Sequence, residues 1–227
     1  MSPSLKTLAL KALATTVLVL TTTLANGTDY VAGKHYTVMD EPVRTGDASK
    51  IEVTEVFWYG CGHCYSFEPL LEKWRKTLPA DVVLLRSPAI WHPTMELHAR
   101  AYYAAKALNV LDALHPALFD AMNIGHDKLA TEDDIKKIFT AHGVDGDTFS
   151  KTFNSFGVGS AVGQADARQR SYKVTGTPEI VVEGKYRVSA SQAGGHEAML
   201  AVVDHLIATE RAAHTKHHGS DSAATAK

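Results

Sequence analysis

Cys61 and Cys64 are the only cysteines in the chain, and Gly62 and His63 separate them. Two thiols at that spacing can close a disulfide, supply part of a metal site, or exchange electrons with another dithiol. A bridge across two intervening residues closes a very small loop and removes little chain entropy, so it is a weak structural clasp. A structural zinc site needs about four ligands, and no second close cluster of Cys or His completes one. Redox exchange is the strongest reading. The attacking species there is a thiolate, which is favoured at a helix start by unpaired N–H groups and the positive end of the helix dipole. Cys61 follows a strand-like run and Gly60, where a helix is expected to begin. His63 adds a donor, and a positive charge when protonated. Cys64 falls one turn further in. Cys61 is therefore the expected nucleophile, and Cys64 the partner that resolves a mixed disulfide or leaves from it.

The elements around this pair must place it. Ile51 to Trp58 reads as a buried strand, with Ile51, Val53 and Phe57 on one face and Val56 and Trp58 on the other. Glu55 lies on the first, otherwise apolar face, six residues before Cys61. A carboxylate buried there has a raised pKa and can relay a proton to Cys64; the alternatives are a solvated strand residue or a salt-bridge partner. From Cys61 a helix carries Phe67, Leu70, Leu71 and Trp74 on its apolar side, with a kink expected at Pro69. Val82 to Leu85 is a second short strand, stopped by Pro88. Trp58 and Tyr59 are expected to pack.

From Pro93 to Val174 the apolar period is helical. Met95, His98, Ala101, Tyr102, Ala105 and Leu108 form one stripe; Thr131 is a candidate N-cap and Gly143 a stop. Phe149, Phe153 and Phe156 suggest another short helix and read as core residues. Ile180-Val181-Val182 and Tyr186-Arg187-Val188 flank the turn Glu183-Gly184-Lys185 and form a hairpin. Met199 to Ile207 is a final amphipathic helix. The polar tail 213–227 reads as disordered, with His214, His217 and His218 in solvent. No metal site and no cofactor are expected.

The first 25 residues differ from the rest. Lys6 and Lys11 precede the uncharged run Ala12–Leu24, and Thr23-Leu24-Ala25 supplies small residues for cleavage, so 1–25 reads as a secretory signal peptide. Export implies a compartment that permits disulfides. A net charge of −2 gives no electrostatic case for nucleic acid.

FWYGCGHCYSFEP at 57–69, TGTP at 175–178 and the helical block between them resemble the DsbA family of periplasmic thiol:disulfide oxidoreductases. The resemblance covers 29–212. It implies an α/β thioredoxin fold with an inserted helical domain: 26–91 and 165–212 thioredoxin-like, 92–164 the insertion. It also implies that Cys61 is the reactive cysteine and Cys64 its buried partner. Pro178 would be the cis-proline facing the motif, and Thr177 the residue whose backbone pairs with extended substrate. The implied activity is disulfide donation to unfolded or newly exported proteins by a periplasmic monomer, reoxidised by a quinone-linked membrane oxidase of the DsbB kind. Two positions depart from the best-known members. Gly62 stands where they carry Pro, and Thr177 where many carry Val; both resemble protein disulfide isomerase domains and would make the pair less oxidising. The alternatives are a disulfide isomerase or reductase, and a peptide-binding chaperone without redox turnover.

Overall fold

The computed structural model describes residues 29–224, so the expected signal peptide lies outside the described residues. A mixed sheet of five strands runs in the order β1-β5-β4-β2-β3. The strands are β1 (Thr37–Val38), β2 (Ile51–Phe57), β3 (Val82–Pro88), β4 (Glu179–Val182) and β5 (Tyr186–Ser189). β2 pairs parallel with β3 and antiparallel with β4, and β4 and β5 form the expected hairpin. Its turn has Glu183 at φ 53° and Gly184 at φ 59°. A Cβ on Gly184 would run into the Val43 carbonyl, so only glycine fits there. β3 runs past Leu85 and takes in Pro88, the residue expected to stop it. It is an edge strand, where a missing N–H costs no ladder bond.

Every residue of β2 is buried because both faces are covered. On one face α1 (Gly62–Arg75) and α8 (His196–Ala224) enclose Ile51, Val53, Phe67, Leu71, Val203 and Leu206. On the other, Val56 and Val181 meet Met95 and Tyr172. Five helices lie between β3 and β4: α2 (Pro93–Ala107), α3 (Leu111–Asn123), α4 (Glu132–Ala141), α5 (Gly146–Phe153) and α6 (Phe156–Ser171). Their own core includes Tyr102, Leu114, Phe119, Phe139, Phe149 and Phe153, and Phe57 and Tyr59 reach into it from the end of β2. A short α7 (Ala190–Ala193) precedes α8.

Two further expectations change, at Phe156 and in the C-terminal tail. Phe156 is 91% exposed rather than core. Asn154 ends α5, and the Ser155 hydroxyl caps a new helix by accepting the Val158 N–H, so Phe156 loses the phase of Phe149 and Phe153. α6 runs unbroken across the expected domain boundary at 164/165. α8 continues past Arg211 to Ala224, where a disordered tail was expected. Tertiary partners hold its last described side chains: Arg211 pairs with Asp81 at 2.6 Å, and His214 lies 3.5 Å from Glu183. No helix among the described residues is long and apolar enough to cross a membrane.

Candidate active site

Cys61 is the N-cap of α1, with extended backbone at φ −93° and ψ 110°. Its sulfur accepts the Cys64 N–H at 3.4 Å and lies 3.3 Å from the Thr177 carbonyl, to which it donates only while protonated. Thr177-Pro178 is a cis peptide at the entry to β4, so two segments distant in sequence meet at this sulfur. Both cysteines are free thiols here, Cys61 half-buried and Cys64 fully buried.

The environment separates the two thiols. The Cys64 thiol donates to the Cys61 sulfur, and the Thr177 side chain and the backbone N–H groups of Cys64 and His63 add to it. Together they outweigh partial burial and hold Cys61 at a pKa of about 5. Burial pushes Cys64 far up, and its bond to Cys61 and the nearby charges of Cys61 and Glu55 act the same way. One sulfur is thus a stable thiolate at neutral pH and the other a retained thiol. Of His63, it is the backbone N–H that favours the thiolate. Its imidazole is exposed and lines a groove of about 560 Å³ with Thr177, Pro178, Gln192 and His196. The His63 and His196 ring centroids are 6.3 Å apart. Gly62 faces open space: a Cβ there would meet only Asn123 Oδ1, at 3.9 Å.

Glu55 is fully buried beneath the pair. The parallel register sets it opposite Arg86, whose Nε lies 3.3 Å from Glu55 Oε2. The same guanidinium reaches Glu68 Oε1 at 2.6 Å and Glu72 Oε1 at 2.5 Å. One guanidinium therefore touches three carboxylates, and Glu55 Oε1 has no hydrogen-bond partner among the described residues. Burial, then the Glu68 charge, push Glu55 up to about 8 against the pull of Arg86. Burial works against the charge of Glu72 as well, but Arg75 and Arg86 hold it down at about 2. Glu55 is thus a carboxyl that holds its proton up to about pH 8.

A family model described as a DSBA-like thioredoxin domain matches residues 82–206, beginning at β3 and so beyond the cysteine pair. Across the pair as well, the chain is 41% identical over 192 residues to the thiol:disulfide interchange protein DsbA of Pseudomonas aeruginosa, covering 85% of this chain and 91% of that one. The chain belongs to the DsbA-like thioredoxin family. The DsbA of Azotobacter vinelandii is 39% identical over 185 residues, covering 82% and 86% of the two chains. A crystal structure of Pseudomonas aeruginosa DsbA superposes with a TM-score of 0.79 at 40% identity, covering 82% of this chain and 97% of that one. The DsbA of Xylella fastidiosa gives 0.75 at 32% identity, over 81% and 98%. The fold is the thioredoxin-like fold with helical insertion, and the activity is that of a thiol:disulfide oxidoreductase.

The structure brings Cys61, Cys64, Thr177 and Pro178 together, with Glu55 beneath them and His63 at the rim. Sequence reasoning missed Arg86, Glu68 and Glu72. Glu68 and Glu72 stand four apart on α1, a spacing that puts both on one helix face. Arg86 is a lone charge after an apolar run, and nothing in the sequence aligns it with Glu55 before the β2–β3 register is known.

Proposed function

We propose that this chain introduces disulfides into exported proteins through the Cys61–Cys64 pair. A substrate thiolate attacks Cys61 Sγ of the enzyme disulfide, the Cys61–Cys64 bond breaks, and Cys64 leaves with a proton from Glu55. A second substrate thiolate attacks the substrate sulfur of the mixed disulfide, and Cys61 leaves as the thiolate. The substrate loses two electrons and the enzyme gains them. The observation that carries this reading is the Cys61 thiolate, capped by α1 and facing the Thr177 carbonyl, beside a buried Cys64 that keeps its proton. A low thiol pKa makes Cys61 a good leaving group and stabilises the reduced enzyme, which is what an oxidant needs.

In this reading the Thr177-Pro178 edge pairs with an extended substrate segment, and His63 adds its charge at the rim when protonated. Residues 1–25 direct the chain to the periplasm and are cleaved, and it works there as a monomer. A quinone-linked membrane oxidase of the DsbB kind accepts the two electrons and restores the disulfide. The insertion is taken as 92–164 between thioredoxin-like segments 26–91 and 165–212. The test is the equilibrium of the pair with glutathione, together with oxidation of a reduced peptide. A pair markedly more reducing than glutathione would move the reading to a reductase. Peptide binding without turnover would move it to a chaperone.

A further inference from the structure

Trp58 and Tyr59, between the end of β2 and Gly60, are each gripped by polar side chains of the inserted helices. The Trp58 indole N–H donates to Nδ1 of His98, on α2, at 2.9 Å. His98 Nε2 lies 3.2 Å from both the Lys128 and Leu129 carbonyls. An indole only donates and carbonyls only accept, so His98 must be the neutral ring with its hydrogen on Nε2. Burial pushes His98 toward that neutral form. The Tyr59 hydroxyl meets Nδ1 of His115, on α3, at 2.8 Å. His115 Nε2 turns toward Glu68 Oε1 on α1, 3.4 Å away. The Tyr59 carbonyl accepts from Asn123 Nδ2, at the end of α3, at 2.8 Å.

This dipeptide in turn carries the start of α1. The Trp58 carbonyl accepts the Cys61 N–H at 3.0 Å. The Trp58 indole covers Gly60 so closely that a Cβ there would overlap it. The ring lies nearly coplanar with His98, with centroids 6.2 Å apart and planes 20° apart, as an edge-to-edge hydrogen bond requires. His98 and His115 are buried, and no hydrogen bond or ion pair links either to a cysteine. Both are spent on residues 58–59 and their supports.

We propose that His98, His115 and Asn123 are positioning residues for the exchange reaction: they clamp Trp58-Tyr59 and so fix Cys61 at the N-cap of α1, facing the Thr177 carbonyl. The inserted helices then act on the exchanging sulfur from behind. This rests on the proposed function, in which Cys61 is the sulfur that exchanges with substrate. A hydrogen bond inside the protein is strong only in good geometry, and the N-cap sulfur depends on N–H groups whose aim follows the 58–61 turn.

The test titrates the thiolate absorbance of the reduced full-length protein and measures its equilibrium with glutathione. His98→Leu removes the indole acceptor. It should raise the Cys61 pKa by roughly half a pH unit or more and shift the equilibrium about threefold toward the enzyme disulfide. His98→Asn places an amide oxygen near the position of Nδ1 and should restore most of both. A His98→Leu protein with unchanged titration and equilibrium overturns the proposal, whatever its loss of stability. If that variant does not fold, Tyr59→Phe and Asn123→Leu enter the same assays. In the unaltered protein, the Trp58 indole N–H and the His98 ring resonances should move between the oxidised and reduced forms, and stationary resonances overturn the proposal too. Cys61→Ala separates the two failures: a low-pH thiolate signal that survives it refutes the assignment of Cys61 itself.

Discussion

Raising the pH from about 5 to about 9 should stabilise the reduced protein relative to the oxidised one. The Cys61 thiol has a pKa of about 5 in the fold against an ordinary 9.0. Across that window the unfolded chain holds one more proton than the native reduced protein, so its stability rises with pH. The contribution is full above the unfolded value and fades as pH falls through the folded one. At pH 7 only the interval between 5 and 7 counts, worth ~3 kcal/mol. Cys61 is half-buried, and solvent screening brings this to ~1–2 kcal/mol. Against it, closing the Cys61–Cys64 loop in the unfolded chain favours the oxidised form by ~2 kcal/mol. The two nearly cancel at neutral pH, but only the thiolate contribution depends on pH, by up to ~1.4 kcal/mol per pH unit. Glu55 acts in the opposite direction. Its folded pKa is raised from 4.5 to about 8, so its contribution is present below the first value and lost as pH rises through the second. It titrates in both redox forms, and subtracting the two stability curves removes most of it. Urea melts of both forms from pH 5 to 8, with m-values checked for constancy, measure the difference. The reduced form should gain at least ~1 kcal/mol on the oxidised form over that range. A flat or falling difference would refute the stabilised thiolate.

Glu55→Gln keeps an acceptor for Arg86 and removes the proton. It should flatten the fall in stability of the oxidised protein between pH 5 and 8, and slow formation of the mixed disulfide, the step in which Cys64 leaves, by roughly 100-fold in stopped-flow assays; an unchanged rate removes Glu55 from the mechanism. Gly60→Ala sets a methyl against the Trp58 indole. It should cost ~1–3 kcal/mol in urea melts and raise the Cys61 pKa, and a silent substitution would mean that the indole moves freely. Phe139→Ala opens a cavity in the inserted helices, where Phe139 and Phe149 lie 4.6 Å apart. It should cost ~3–5 kcal/mol, and a loss under 1 kcal/mol would show that this core collapses around the gap.

Local chemistry was legible in the sequence because it depends on neighbours in the chain. The Cys61–Cys64 spacing, the strand before it, the N-cap at Thr131 and the 183–185 turn are set by side chains and backbone within a few residues. The expected core phase of Phe156 failed for the same reason in reverse: a cap at Ser155 reset the helix, and a period count across that cap cannot detect it. What crosses the chain was decided by tertiary structure alone. The β2–β3 register puts Arg86 beside Glu55, and the return of the chain through cis Pro178 brings the Thr177 carbonyl to a sulfur 116 residues earlier. His98 reads as a member of a helical stripe, and nothing in the sequence singles out His115. Only the docking of α2 and α3 on the end of β2 turns their buried rings toward Trp58 and Tyr59. Burial and charge proximity set the pKa of Glu55 and of both cysteines, and both depend on distances in space that spacing along the chain does not specify.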